Sequence, residues 1–184
     1  MVKASAIPDI KKISKKLTSK KIFDYFLKNY SIKSDIWKHL SKSKYLDWHF
    51  VYRNPYLNWD WGFVSANKNI TLDIIKDHPN FPWKWEHLSR NQNLNIDFIY
   101  NNIDKNWDWR SISRHRNIRW EDIHKYFYFN WDWKYISMNS NITTEIITKN
   151  SEFPWQWEWL SLNINLNWNF VKNNLDKNWC WMWV

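Results

Sequence analysis

The stretch NWDWGFVSANKNITLDII, residues 58–75, decides the fold, because its pattern returns along the chain at a fixed interval. The pair Trp-x-Trp stands at Trp59/Trp61, Trp83/Trp85, Trp107/Trp109, Trp131/Trp133, Trp155/Trp157 and Trp179/Trp181, always 24 residues apart and without insertion. One step earlier Asp35 takes the first slot and Trp37 keeps the second. Three residues after the second slot comes an aliphatic (Leu40, Val64, Leu88, Ile112, Ile136, Leu160, Val184), and then, from Ser41 to Ser161, always Ser. Two polar positions follow at intervals of two, mostly Asn: Asn67/Asn69, Asn91/Asn93, Asn139/Asn141 and Asn163/Asn165, with Ser43, Tyr45 and His115 as departures. A self-similar period of this length is the signature of a repeat architecture. A weaker period of three repeats overlies it, since FPWKWEHLS (81–89) resembles FPWQWEWLS (153–161).

Each unit reads as two short helices. The first is expected to begin at the Asn or Pro before the first Trp (Asn58, Pro82, Asn106, Asn130, Pro154, Asn178), residue types suited to helix starts. The second begins at Asp47, Thr71, Asn95, Arg119, Thr143 or Asn167, five of them good N-caps. Asp73, Asp97, Glu121 and Glu145 then place negative charge in its first turn, where the helix dipole favours it. Because the chain has one Gly, the Asn after the Ser is expected to supply the left-handed turn that ends the first helix. Helices this short are unstable alone, so burial must come from stacking one hairpin on the next. The expected fold is all-α, a solenoid of 24-residue helical hairpins with a Trp-rich core and an N-terminal capping helix. Its divisions are a mobile basic segment (1–18), the capping helix (19–34, with Ile22, Phe23, Phe26, Leu27 and Tyr30 on one face) and six and a quarter repeats (35–184, starting at 35, 59, 83, 107, 131, 155 and 179).

The 18 Trp must be weighed before any chemistry. The thirteen in the repeat slots (Trp37, Trp59, Trp61, Trp83, Trp85, Trp107, Trp109, Trp131, Trp133, Trp155, Trp157, Trp179, Trp181) would expose about 2,600 Å² if laid on the surface. Soluble monomers do not tolerate an apolar patch of that size, so these residues are assigned to the core. Trp159 and Trp183 lie outside the pattern and suit a stacking platform better.

Composition excludes several function classes. One cysteine, Cys180, cannot form an internal disulfide or a thiolate metal site, and favours a reducing, intracellular setting. No apolar run reaches membrane-spanning length, and no membrane partner is expected. Gly62 alone cannot build a phosphate-binding loop, no Ser sits in a nucleophile elbow, and the six His show no ligand spacing. No enzyme activity, catalytic residue, metal or cofactor is expected. The net charge of +9 is concentrated at the start, where residues 1–34 hold nine Lys against Asp9 and Asp24. In the repeats, two turn positions change character along the chain, from Lys42, Lys44, Lys68, Arg90, Arg114 and Arg116 to Met138, Leu162 and Ile164. With Arg110 and Arg119 nearby, these form the candidate partner-binding edge.

The segments 58–75 and WDWKYISMNSNITTEII (131–147) resemble the tryptophan-repeat proteins of entomopoxviruses and of giant DNA viruses of amoebae. The likeness covers about residues 35–184, with Asp35, Tyr45, His115 and Asp122 as departures. It implies a viral protein acting in the infected host cell, in its cytoplasm or in the virion, and implies no activity. The expected function is a non-enzymatic scaffold for protein–protein interaction with a host or viral partner. The alternatives are nucleic-acid or polyanion binding through the basic N-terminus and repeat edge, and a structural, virion-associated role. The oligomeric state is left open.

Overall fold

The computed structural model describes residues 19–183; the basic segment 1–18 and Val184 lie outside the described residues. The described chain is all-helical. Its helices are α1 (Ser19–Asn29), α2 (Ile36–Ser41), α3 (Trp48–Arg53), α4 (Trp61–Ala66), α5 (Leu72–Asp77), α6 (Trp85–Leu88), α7 (Ile96–Tyr100), α8 (Trp109–Ser113), α9 (Trp120–Lys125), α10 (Trp133–Ser137), α11 (Thr144–Lys149), α12 (Trp157–Leu160) and α13 (Trp168–Lys172). After α1, with 11 residues, no helix exceeds six. The chain divides into two compact units, residues 1–87 and 88–184.

Local chemistry sets the helix starts. All six expected caps of the second helices are the observed ones. Thr71, Asn95, Thr143 and Asn167 each accept a hydrogen bond from the backbone N–H three residues on, and Asp47 from His49. Arg119 has no acceptor to offer. There the Asp122 carboxylate turns back and accepts the Arg119 N–H at 2.9 Å, which accounts for an acid at a position otherwise apolar or aromatic (Phe50, Ile74, Phe98, Ile146, Phe170).

The first helices of the Trp-x-Trp repeats start later than expected, at the second Trp instead of the Asn or Pro before the first. The cause is tertiary. The N–H of the residue between the two tryptophans is taken by a Ser hydroxyl 19 residues earlier, which holds that residue extended (φ −88°, ψ 100° at Asp60). It becomes the N-cap, and Asp60, Asp108 and Asp132 cap with their own carboxylates. The expectation of left-handed Asn turns is also overturned, since no described residue has positive φ. The Asn side chains reach into the preceding repeat instead.

In the unit of residues 1–87, α1 buries Ile22, Phe23 and Phe26, and Phe23 stacks on Phe50 of α3 at 4.7 Å. Leu27 departs from the expected face and is 40% exposed. Helix α2 packs on α4. Ser41 Oγ donates to the Trp37 carbonyl and accepts the Asp60 N–H. Asn67 Nδ2 donates to the Ser41 and Ser43 carbonyls, and Asn69 Nδ2 to those of Lys44 and Leu46. Gly62 makes room for the His87 ring: a Cβ there would sit 2.8 Å from its Cε1, so a larger residue must turn that ring aside.

The unit of residues 88–184 repeats these contacts. Ser89, Ser113, Ser137 and Ser161 accept the N–H of Asp108, Asp132, Gln156 and Cys180 at 2.9–3.0 Å. Asn139 Nδ2 donates to the Ser113 and His115 carbonyls, and its Oδ1 accepts the Asn141 N–H. Helix α8 packs on α10, and α10 on α12.

The thirteen slot tryptophans divide by position. The first-slot residues Trp59, Trp83, Trp107, Trp131, Trp155 and Trp179 are 5–8% exposed, and each indole N–H donates to a carbonyl five residues earlier. Trp37 is fully buried. The other second-slot residues correct the core assignment. Trp61, Trp85, Trp109, Trp133 and Trp157 are half-buried and Trp181 is 56% exposed. Within each unit a second-slot ring meets the first-slot ring of the next repeat edge to face: Trp61/Trp83 at 5.6 Å, Trp109/Trp131 at 5.5 Å, Trp133/Trp155 at 5.4 Å and Trp157/Trp179 at 5.2 Å. Trp181 meets no such ring among the described residues. The sealed centre is aliphatic: Leu40, Val64, Leu88, Ile112, Ile136 and Leu160 are all fully buried.

Asn139 is 1% exposed and makes three bonds, so Asn139→Ala strands the Ser113 carbonyl and the Asn141 N–H and removes one of two donors to the His115 carbonyl. A loss of about 2–4 kcal/mol is expected by urea denaturation. Ser140→Ala, at the exposed neighbour, should change stability by less than ~0.5 kcal/mol.

Candidate functional site

The turn after each first helix presents its odd-numbered Asn inward and leaves the residues between at the surface, which positions the candidate edge. Lys42, Lys44 and Lys68 are exposed in the first unit. Lys42 Nζ lies 3.9 Å from the centroid of Phe63 in the next repeat, and Lys44 Nζ lies 5.0 Å from that of Tyr45. In the second unit Arg110, Arg114, Arg116 and Arg119 are exposed, as are Leu162 (41%) and Ile164 (82%), while Met138 is half-buried. The basic-to-apolar gradient therefore exists on the surface of that unit.

Arg90 is a correction to the candidate edge. Its guanidinium donates to Ser111 Oγ at 3.1 Å and to Asp108 Oδ2 at 3.0 Å, so its fork is engaged within the fold. Burial acts to raise the pKa of the Asp108 carboxyl. The hydrogen bonds from Ser111 and Arg90 outweigh it and hold the group below the usual carboxylate value.

His115, a departure from the repeat's Asn, takes over the bonding of that Asn between repeats. Its Nδ1 accepts the Asn117 N–H at 3.2 Å, so the ring proton sits on Nε2, which donates to the Asn91 carbonyl at 3.0 Å. At the same position of later repeats, Asn139 and Asn163 do the same work with an amide. Burial, opposed by the bond to Asn91 and reinforced by the charge of Arg116, lowers the His115 pKa from 6.5.

A further cluster was missed at the sequence level. The loop after α9 carries Tyr126, Phe127, Tyr128 and Phe129. Tyr126 is buried and stacks parallel to Phe129 at 5.0 Å and 12°, and Tyr100 of α7 lies 5.2 Å from it. These rings form a platform at which Tyr128 (62%) and Tyr100 (50%) are exposed, with Phe127 (68%) against Tyr128. The signal was present. Four successive aromatics stand where other repeats have Asn-Pro-Tyr-Leu (54–57), His-Pro-Asn-Phe (78–81) or Asn-Ser-Glu-Phe (150–153).

A cleft of about 380 Å³ in the first unit is lined by Asp24, Leu27, Asp47, His49, Phe50, Arg53 and Asn54. Its Asp47 caps α3 and its Asn54 amide donates to the Phe50 carbonyl, so much of its polar lining already serves the fold. Among the described residues, no group of three His, Cys, Asp or Glu is placed to hold a metal ion, and no helix is long and apolar enough to cross a membrane. No family model, curated protein or solved structure matches this chain.

Protonating His115 would remove the Nδ1 acceptor and place charge in a buried joint. Because its folded pKa is depressed, its contribution is complete above about pH 6.5, and stability falls as pH drops from there through the folded-state value. Urea denaturation at pH 7.5 and pH 5 should therefore show a larger loss for wild type than for His115→Asn, which keeps an uncharged donor and acceptor.

Proposed function

We propose that the chain is a non-enzymatic solenoid of 24-residue helical hairpins that binds a protein partner. The same Ser, Asn and indole bonds recur at the 24-residue interval within each unit, which supports the solenoid reading. The likeness to viral tryptophan-repeat proteins supports an infected host cell as the setting.

The observation that carries the binding reading is the aromatic platform of the second unit. No buried side-chain N or O atom lacks a hydrogen-bond partner among the described residues, so the interior leaves no polar demand unmet. Phe127 and Tyr128 are mostly exposed, with Tyr128 resting on Tyr126 and Phe129, and Phe127 against Tyr128. Large aromatic side chains held rigidly at a surface are the residues that dominate protein–protein interfaces. Exposed Lys125 stands at the rim, its pKa raised by the hydrogen bond to Tyr126.

The double substitution Phe127→Ser, Tyr128→Ser should leave the melting temperature within about 2 °C, because both side chains are mostly exposed. The same variant should lose the protein that wild type captures from infected-cell extract. Exposed Thr148→Ala serves as the control that retains it. An identical set of captured proteins for the double variant and wild type would remove this reading.

A further inference from the structure

We propose that the unit of residues 88–184 also carries a binding strip for single-stranded nucleic acid along the outward side of its first helices. The strip does not depend on the aromatic platform.

Its basis is a row of rings with cations laid over two of them. The third residue of α8, α10 and α12 is Ser111, Tyr135 and Trp159, and Trp183 takes the same slot one repeat on. Because α8 packs on α10 and α10 on α12, these positions follow one another across adjacent helices. Trp159 and Trp183 have centroids 6.3 Å apart, and Trp183 is 43% exposed. The Arg114 guanidinium lies 6.0 Å from the Tyr135 centroid, and Lys134 Nζ lies 5.7 Å from that of Trp159. A cation thus lies over each of Tyr135 and Trp159, and Trp159 meets Trp183 directly.

The repeat that supplies Arg114 to the row is rich in exposed arginine. Arg110 and Arg114 stand four residues apart, where like charges repel. Arg116 and Arg119 lie within the same repeat, and among the described residues none of the four has a carboxylate at ion-pair distance. Three neighbouring acids are engaged within the fold: Asp108 by Arg90 and Ser111, Asp132 as the cap of α10, and Asp122 by the Arg119 N–H.

One ligand chemistry answers both features. A single strand offers a phosphate for each cation and an open base face for each ring. An acidic peptide would neutralise the arginines and leave the rings unused. A duplex hides its base faces in its own stack.

The test is fluorescence anisotropy of the full chain with a fluorescein-labelled twelve-nucleotide oligo-dT, at salt between about 50 and 200 mM. Wild type should bind, with a log–log salt dependence shallower by about 0.7 for each arginine removed in Arg110→Ala and Arg114→Ala. Trp159→Leu keeps apolar bulk and should weaken binding about tenfold, whereas Tyr135→Phe keeps the ring and should bind as wild type. Where a variant loses its helical circular dichroism, photocrosslinking of a bromouridine oligonucleotide to wild type replaces it, with adducts expected at Tyr135, Trp159 or Trp183. The Phe127→Ser, Tyr128→Ser variant should bind like wild type, so the two readings fail separately. The proposal is overturned by no binding at 50 mM salt, by unchanged binding in the arginine and Trp159 variants, by adducts confined elsewhere, or by a twelve-residue poly-glutamate or a duplex binding as tightly.

Discussion

The structure depends on side chains of one repeat hydrogen-bonding the backbone of its neighbours, Ser with the repeat after it and Asn with the repeat before. An α-helix leaves its first N–H groups and last carbonyls without intrahelical partners, and a helix of four to six residues is almost all ends. Such a chain cannot satisfy its own backbone. Ser89, Ser113, Ser137 and Ser161 accept the N–H that opens the next Trp-x-Trp, while Asn139, Asn141, Asn163 and Asn165 take up the carbonyls of the turn one repeat earlier. The invariance of Ser follows from its two roles. A residue that must donate to a carbonyl within its own helix and accept from the next repeat in a fully buried space leaves little room for anything larger.

This explains which parts of the fold could be read in the sequence. The N-caps of the second helices were legible because capping is local, reaching only two or three residues. The Ser and Asn positions were legible as fixed members of the repeat because each returns at a constant distance from the Trp-x-Trp pair. The start of the first helix was misplaced because Asp60, Asp108 and Asp132 are held extended by a hydroxyl 19 residues away. The Asn turn was misjudged for a related reason: local propensity suggests a left-handed residue, and the amide is instead committed to a distant carbonyl. Trp61, Trp109, Trp133 and Trp157 could not be separated from their first-slot neighbours by composition. Their half-burial comes from meeting the next repeat edge-on.

The three-repeat period has a structural counterpart as well. Trp48 lies against Phe81 and Trp83, and Trp120, three repeats on, lies in the same way against Phe153 and Trp155. The likeness of 81–89 to 153–161 is therefore a likeness of packing, because each Phe-Pro-Trp segment carries the ring that receives a second-helix Trp.

Departures from the repeat separate into two kinds, and that distinction locates function. Where the departure falls on a position the fold uses, a compensating group is found. Arg119 cannot cap, and Asp122 closes back on its N–H. His115 replaces an Asn, and its tautomer reproduces one donor and one acceptor. The aromatic run at Tyr126–Phe129 and the arginines at 110, 114 and 116 are different. The exposed members of the first, Phe127 and Tyr128, lie mostly outside the core, and those of the second have no carboxylate at ion-pair distance among the described residues. In a molecule whose interior accounts for its own polar atoms so fully, an uncompensated departure costs stability or solubility without return from the fold. The return must then come from outside the chain, and both proposed surfaces are built from such residues.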